Sequence, residues 1–226
     1  MTGADVARIK GQIATILQRN AGVSPARTIN LLPIRSLQGK LYEAHVLSII
    51  IENLVTQEGL HVTLIGGSIL TLRQKGGQIN RAYPYFEVRD GELLFGELFT
   101  DTYFATISYQ MRGGPLRKTN GDYHELDIAL LQPNLTGYPQ HTDVMLAVEC
   151  KNTSIKKSII RELLGFRREL AFYTGVMQRT HFTTYPTNQT MSDPNSVHML
   201  YCSDNRINRY IANCFQFGIL LQHHRI

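Results

Sequence analysis

The stretch DVMLAVECK, residues 143–151, constrains the fold more than any other part of the chain. Side chains alternate across a strand. Met145, Ala147, Glu149 and Lys151 therefore share one face, and Val144, Leu146, Val148 and Cys150 share the other. Both faces are apolar until the last residues, the pattern of a central strand covered on both sides. Such a strand requires a sheet with a layer packed on each face. It also ends in two opposite charges on one face, Glu149 and Lys151, which a buried strand does not need for packing.

The rest of the chain supplies the layers. Val6, Ile9, Ile13, Ile16 and Leu17 recur at helical spacing over residues 4–19. Residues 21–36 hold Gly22, Pro25 and Pro33 and read as a connector. Residues 39–57, ending at Gly59, read as a helix apolar on most sides, suited to packing against a sheet, with Glu43 in its first turns. From Leu60 the texture is β-branched and aromatic. LHVTLIGGSILTLRQ, AYPYFEV, ELLFGELF and TYFATISYQM read as strands, and Asp90-Gly91 as a hairpin turn. ELDIALL (125–131) and DVMLAVECK follow, joined by a loop with Pro133, Gly137 and Pro139. A helix over 155–172 comes next, with Ile155, Ile159, Leu163, Phe166 and Leu170 as its buried stripe. Residues 173–196 are polar and read as a long loop. VHMLYCS, a short helix over 205–215 and GILLQHH close the chain. The expected architecture is α/β: a mixed sheet flanked by helices, with an N-terminal helical extension over 1–38 and one domain over 39–226.

If ELDIALL pairs with DVMLAVECK, Asp127 meets Glu149 and Lys151 at one edge of the sheet. Two carboxylates held together repel, and burial penalises both. A hard divalent cation resolves that conflict, because Mg²⁺ takes oxygen ligands and keeps several waters. A lysine beside it can orient a water or stabilise charge on a phosphate oxygen, as metal-assisted phosphodiester hydrolysis requires. The structural alternative is a buried ion pair, which is weakly stabilising at best.

Asp127 in an apolar strand, Glu149-Cys150-Lys151 ending the next, and a basic helix after it resemble the PD-(D/E)xK nuclease superfamily, which has the restriction-endonuclease-like fold. The resemblance covers residues 40–224. Leu126 stands where many members have proline, a departure the superfamily allows. It implies Asp127 and Glu149 as metal ligands with the carbonyl of Cys150, Lys151 as the catalytic lysine, and Glu43 as a further carboxylate near the metal. It also implies a Mg²⁺-dependent endonuclease acting on DNA, with Mn²⁺ able to substitute. A role in bacterial defence or restriction follows from the same analogy, as a homo-oligomer or with partner proteins. A silent nucleic-acid-binding or assembly subunit, or a nuclease for RNA or branched DNA, is the alternative.

Charge agrees with a polyanionic partner. Lys151, Lys156, Lys157, Arg161, Arg167 and Arg168 face a single acid, Glu162, between 151 and 168, an excess that matches the net +5 of the chain. Lys157, Arg161 and Arg168 fall opposite the apolar stripe, and Lys156 and Lys157 lie near the helix N-terminus, where phosphate binding is favoured. These four are the candidate nucleic-acid contacts. Three cysteines without CxxC spacing point to reduced thiols in a cytoplasmic protein rather than a disulfide framework. No signal peptide or membrane-spanning run is read. In QKGGQINRAYPYF, Tyr83 and Tyr85 read as half-buried hairpin aromatics rather than base-stacking residues. Glu97 and Asp101 read as loop carboxylates rather than second-metal ligands, His124 as a strand-edge histidine, and His223-His224 as no zinc site.

Overall fold

A computed structural model describes residues 2–28, 37–67, 72–73, 75–114 and 119–226. Residues 29–36 of the connector, and 68–71 and Gln74 of the LHVTLIGGSILTLRQ stretch, lie outside the described residues. The helices are α1 (Gly3–Ala21), α2 (Pro25–Thr28), α3 (Leu37–Thr56), α4 (Ile107–Met111), α5 (Lys157–Leu170) and α6 (Ile211–Phe215). The strands are β1 (His61–Ile65), β2 (Tyr85–Asp90), β3 (Leu93–Ala105), β4 (Tyr123–Leu131), β5 (Val144–Lys151), β6 (Phe172–Arg179), β7 (Gln189–Asp193), β8 (Val197–Cys202) and β9 (Ile219–His223).

Seven strands form one sheet in the order β1-β2-β3-β4-β5-β8-β9. Pairing is antiparallel from β1 to β5 and parallel from β5 through β8 to β9. The architecture is thus α/β, a mostly antiparallel mixed sheet flanked by helices. β5 sits where the two pairing modes meet, and its residues 144–150 are all buried.

On one face, α1 and α3 pack over Ile128, Leu146 and Val148. The α1 stripe Ile9, Ile13 and Leu17 enters this same core, so the N-terminal helix is packed against the sheet layer and not suspended from it. Its ends are fixed locally: Thr2 and Asp5 form a capping box, and Gly22 closes the helix at φ 60°. On the other face, Leu170 of α5 packs with Ala129 and Ala147. Met145 joins the core of Leu146 and Val148 instead of that of Ala147. The β4–β5 register shifts at Leu130–Leu131, which breaks the simple alternation expected there.

Other expectations change with tertiary pairing. ELLFGELF and TYFATISYQM do not make two strands: β3 runs unbroken from Leu93 to Ala105, and ISYQM forms α4, capped by the Thr106 side chain. The hairpin at Asp90-Gly91 forms as expected, with Asp90 paired to Leu93 and Gly91 at φ 55°. Residues 173–196 are not a loop throughout, because β6 and β7 pair into a separate antiparallel ribbon. Its turn is tied to the end of α3, where the Glu58 carboxylate accepts from the backbone N–H of Thr183 (2.8 Å), Thr184 and Tyr185 (2.6 Å).

The helix expected over 155–172 is α5, but its buried side is rotated. Ile160, Leu163, Arg167 and Leu170 are buried, whereas Ile159 and Phe166 are half-buried. Arg167 therefore leaves the basic surface. Its guanidinium, 4% exposed, donates to the Phe217 carbonyl (2.9 Å), the Ser196 hydroxyl (3.1 Å) and carbonyl (2.9 Å), and the Ser192 hydroxyl (2.5 Å). Burial lowers its pKa to about 10.

Candidate active site

The β4–β5 ladder runs as far as Ile128–Val148. One step further, Asp127 and Glu149 stand opposite each other where the strands part. The Cys150 N–H, left without a ladder acceptor, donates to Asp127 Oδ2 at 2.7 Å. N–H and C=O of one strand residue point to the same side. The Cys150 carbonyl is therefore turned toward this gap, while the Lys151 carbonyl accepts from Ser203 N–H across β8 (3.1 Å).

The same row continues into β3. Thr100 pairs with Ile128 and Thr102 with Leu126, which sets Asp101 opposite Asp127. Asp101 adopts φ 49°, a conformation rare outside glycine, so the regular pair is interrupted at this point. Asp101, Asp127 and Glu149 thus form an acidic row across three adjacent strands. This corrects the reading of Asp101 as a loop carboxylate. Glu97 also lies in β3, but away from the row, where Arg81 (2.5 Å) and Asn134 N–H (3.1 Å) satisfy it.

Two lysines face the row. Lys151 Nζ contacts Glu149 Oε2 at 3.4 Å. Lys40, in the first turn of α3, binds Glu43 at 2.5 Å and also Asp101. Lys40 was not legible in the sequence; it lies three residues before Glu43, one helical turn away, which is the single signal that could have found it. Glu43 is brought to the site, with Asp127 close enough to raise its pKa further after burial has done so.

The electrostatics are those of an undercompensated acidic cluster. Burial, then the Asp127 charge, pushes Glu149 up to about 8. Burial raises Asp101 to about 7 against the opposing pull of Lys40. Asp127 is raised by burial despite its bond from Cys150 N–H. Burial disfavours the charged Lys151, but Glu149 and Asp127 outweigh it and hold its pKa above the usual lysine value. The Cys150 thiol is buried and its pKa raised, which removes it as a nucleophile.

Among the described residues, no three His, Cys, Asp or Glu side chains are gathered tightly enough to hold a metal ion by themselves. The set implied by the resemblance needs fewer: two carboxylates and the Cys150 carbonyl, with water completing the shell. The donors fit a hard cation in a second respect. Glu149 Oε1 and Asp101 Oδ2 are buried without a hydrogen-bond partner. Beside Glu149 and Lys151 lies a cavity of about 10 Å³, closed by Glu162, Leu163 and Phe166 of α5, about the size one water occupies.

Of the candidate nucleic-acid contacts, Lys157, Arg161 and Arg168 are exposed on α5, and Lys156 is exposed at its N-cap. His124 is half-buried, its ring 4.7 Å from that of Phe166. Tyr85 is buried and stacked on Phe99, which removes it from any base-stacking role; Tyr83 is exposed beneath Arg73. His224 contacts His45 (Nε2–Nε2 2.8 Å), a pair without the further ligands of a zinc site. No helix among the described residues is long and apolar enough to cross a membrane. No protein-family model, curated protein or solved structure matches the chain.

Proposed function

We propose that the chain is a divalent-metal-dependent nuclease of the PD-(D/E)xK class, with a restriction-endonuclease-like fold, that hydrolyses phosphodiester bonds in DNA. The observation that carries this reading is the acidic row of Asp101, Asp127 and Glu149 across β3, β4 and β5, with Lys151 beside it and a basic, exposed side on the helix that follows, α5. A stability-only ion pair explains it poorly. Glu43, Asp101, Asp127 and Glu149 outnumber Lys40 and Lys151, and two carboxylate oxygens stay unpartnered.

Asp127, Glu149 and the Cys150 carbonyl would hold Mg²⁺ or Mn²⁺, with Glu43 or Asp101 as a further oxygen donor. The ion would supply Lewis acidity toward a phosphate oxygen and lower the pKa of water. Burial opposes the charge on Lys151, but Glu149 and Asp127 raise its pKa in the metal-free site. Lys151 would position or deprotonate the attacking water, or stabilise charge on the phosphate. Lys157, Arg161 and Arg168 hold backbone phosphates, which positions the strand without reading its sequence.

Supercoiled plasmid, linear duplex, single strands and RNA, each with Mg²⁺, Mn²⁺ or EDTA, test the reading. Cleavage is expected only with a divalent cation. Lys151→Ala should lose about 10²–10³-fold in rate, the scale of one removed transition-state donor, and Asp127→Ala at least as much. Cleavage that persists in EDTA or in the double variant rules the mechanism out. Binding without cleavage on every substrate identifies a nucleic-acid-binding subunit instead.

A further inference from the structure

A cavity of about 640 Å³ lies not at the acidic row but at the C-terminal end of α5, between α4 and β6. That volume is in the range of small-ligand sites. Its rim is apolar and aromatic where a surface is ordinarily polar: Phe172 is 52% exposed, Tyr173 58% and Phe217 44%. The rings of Tyr173 and Phe217 stand 5.6 Å apart at 53°. Arg168 lines the cavity, and the buried Arg167 forms part of its wall. One acid, Glu169, is present, with one carboxylate oxygen engaged by Ser108 N–H at 3.0 Å.

The position of the cavity decides its occupant. Glu162 and Phe166 of α5 close the small cavity beside Glu149, while Arg168 of the same helix lines this one. From residue 162 to residue 168 the helix rises about 9 Å. Lys157, Arg161 and Arg168 are exposed along one side of α5, and the last of them reaches the cavity. A strand whose phosphates follow these cations brings its bases to the aromatic rim. Stacking on aromatic rings beside a basic track is the chemistry of single-stranded nucleic-acid binding. A base paired within a duplex has no free face to offer.

We infer that this cavity receives an unpaired nucleobase, so that the chain binds single-stranded or locally unpaired nucleic acid in preference to continuous duplex. The inference rests on the reading of α5 as the nucleic-acid-facing helix. It deepens the proposed function by naming the substrate class.

The test is fluorescence anisotropy of a labelled oligothymidylate and of a labelled hairpin duplex, in EDTA and at one salt concentration. The single strand should bind more tightly. Phe172→Ala and Tyr173→Ala, at exposed positions, should each weaken it by about 5- to 150-fold and leave duplex binding unchanged. Equal affinity for the two probes, unchanged single-strand binding in both variants, or equal losses on both probes would overturn the inference. The nuclease reading is judged separately, by Mg²⁺-dependent cleavage in the wild type against Asp127→Ala. Cleavage with no rim dependence removes the base pocket and leaves the nuclease; rim-dependent binding without cleavage does the reverse.

Discussion

Glu149 buries a carboxylate with one oxygen unpartnered and its pKa raised to about 8. A group whose folded pKa exceeds its unfolded value of 4.5 stabilises the fold most below 4.5 and loses that contribution as pH rises through 8. Asp101, at about 7, acts in the same direction. Buried histidines act oppositely. His45, lowered to about 4, and His198, to about 3, both chiefly by burial, favour the fold fully only above their unfolded value of 6.5. The unfolded-state histidines are half titrated at pH 6.5 and finish about one unit higher, after which the acids decide. The metal-free protein should therefore melt at progressively lower temperature from about pH 7.5 to 8.5 in EDTA. Glu149→Gln should flatten that decline and raise stability near pH 8.5 by on the order of 2 kcal/mol, roughly 4–8 °C at this chain length. A Tm that rises over the same window would refute this account. At this scale the sequence was partly legible. Strand alternation sets Glu149 and Lys151 on one face, and an assumed pairing of the two strands adds Asp127. Asp101 and Lys40 do not follow from either, because cross-strand register and the seating of α3 over the sheet bring them in.

Within α5, the apolar spacing predicted a buried side but misplaced its centre. Periodicity assigns arginine to solvent, and Arg167 is instead held by Phe217, Ser192 and Ser196. Their hydroxyls and carbonyls come from segments far along the chain, which no local pattern can reveal. Arg167→Met should cost about 2–4 kcal/mol, since it leaves several buried acceptors without a donor. Arg167→Lys should recover little, because an ammonium cannot reproduce the planar fork. The exposed neighbour change Arg168→Met should stay within about 0.5 kcal/mol. Urea denaturation of the three variants gives the comparison. Gly218 belongs to the same assembly: it adopts φ 66°, and a Cβ there would collide with Thr190 and Arg167. The ribbon of β6 and β7 was misread for a related reason. β6 is exposed almost throughout, and the buried positions of β7 are Thr190 and Ser192, so neither carries the apolar alternation that marks a strand.

For the molecule as a whole, the architecture was legible and its fine pairing was not. An apolar strand such as β5 demands two covering layers, and the structure supplies α1 and α3 on one side and α5 on the other. If the chain binds DNA as proposed, the exposed cations of α5 make that binding a matter of counterion release. Affinity for duplex DNA should fall linearly on a log–log plot against salt, and removing Lys157, Arg161 and Arg168 together should reduce the slope by about 2–3. An unchanged slope would place the nucleic acid elsewhere. The junction in β5 has a wider consequence. Beyond Val148 the antiparallel partner β4 has left, while the parallel partner β8 continues to Cys202. The sheet is closed along one side of the strand end and open along the other. Position 127 thus stands outside both of its ladders, and position 149 keeps only the one to β8, while their neighbours hold the backbone still. Selection can therefore alter the chemistry of the gap without unpicking the sheet, which makes this strand end a place where a lineage can acquire, retune or lose an activity and keep its fold.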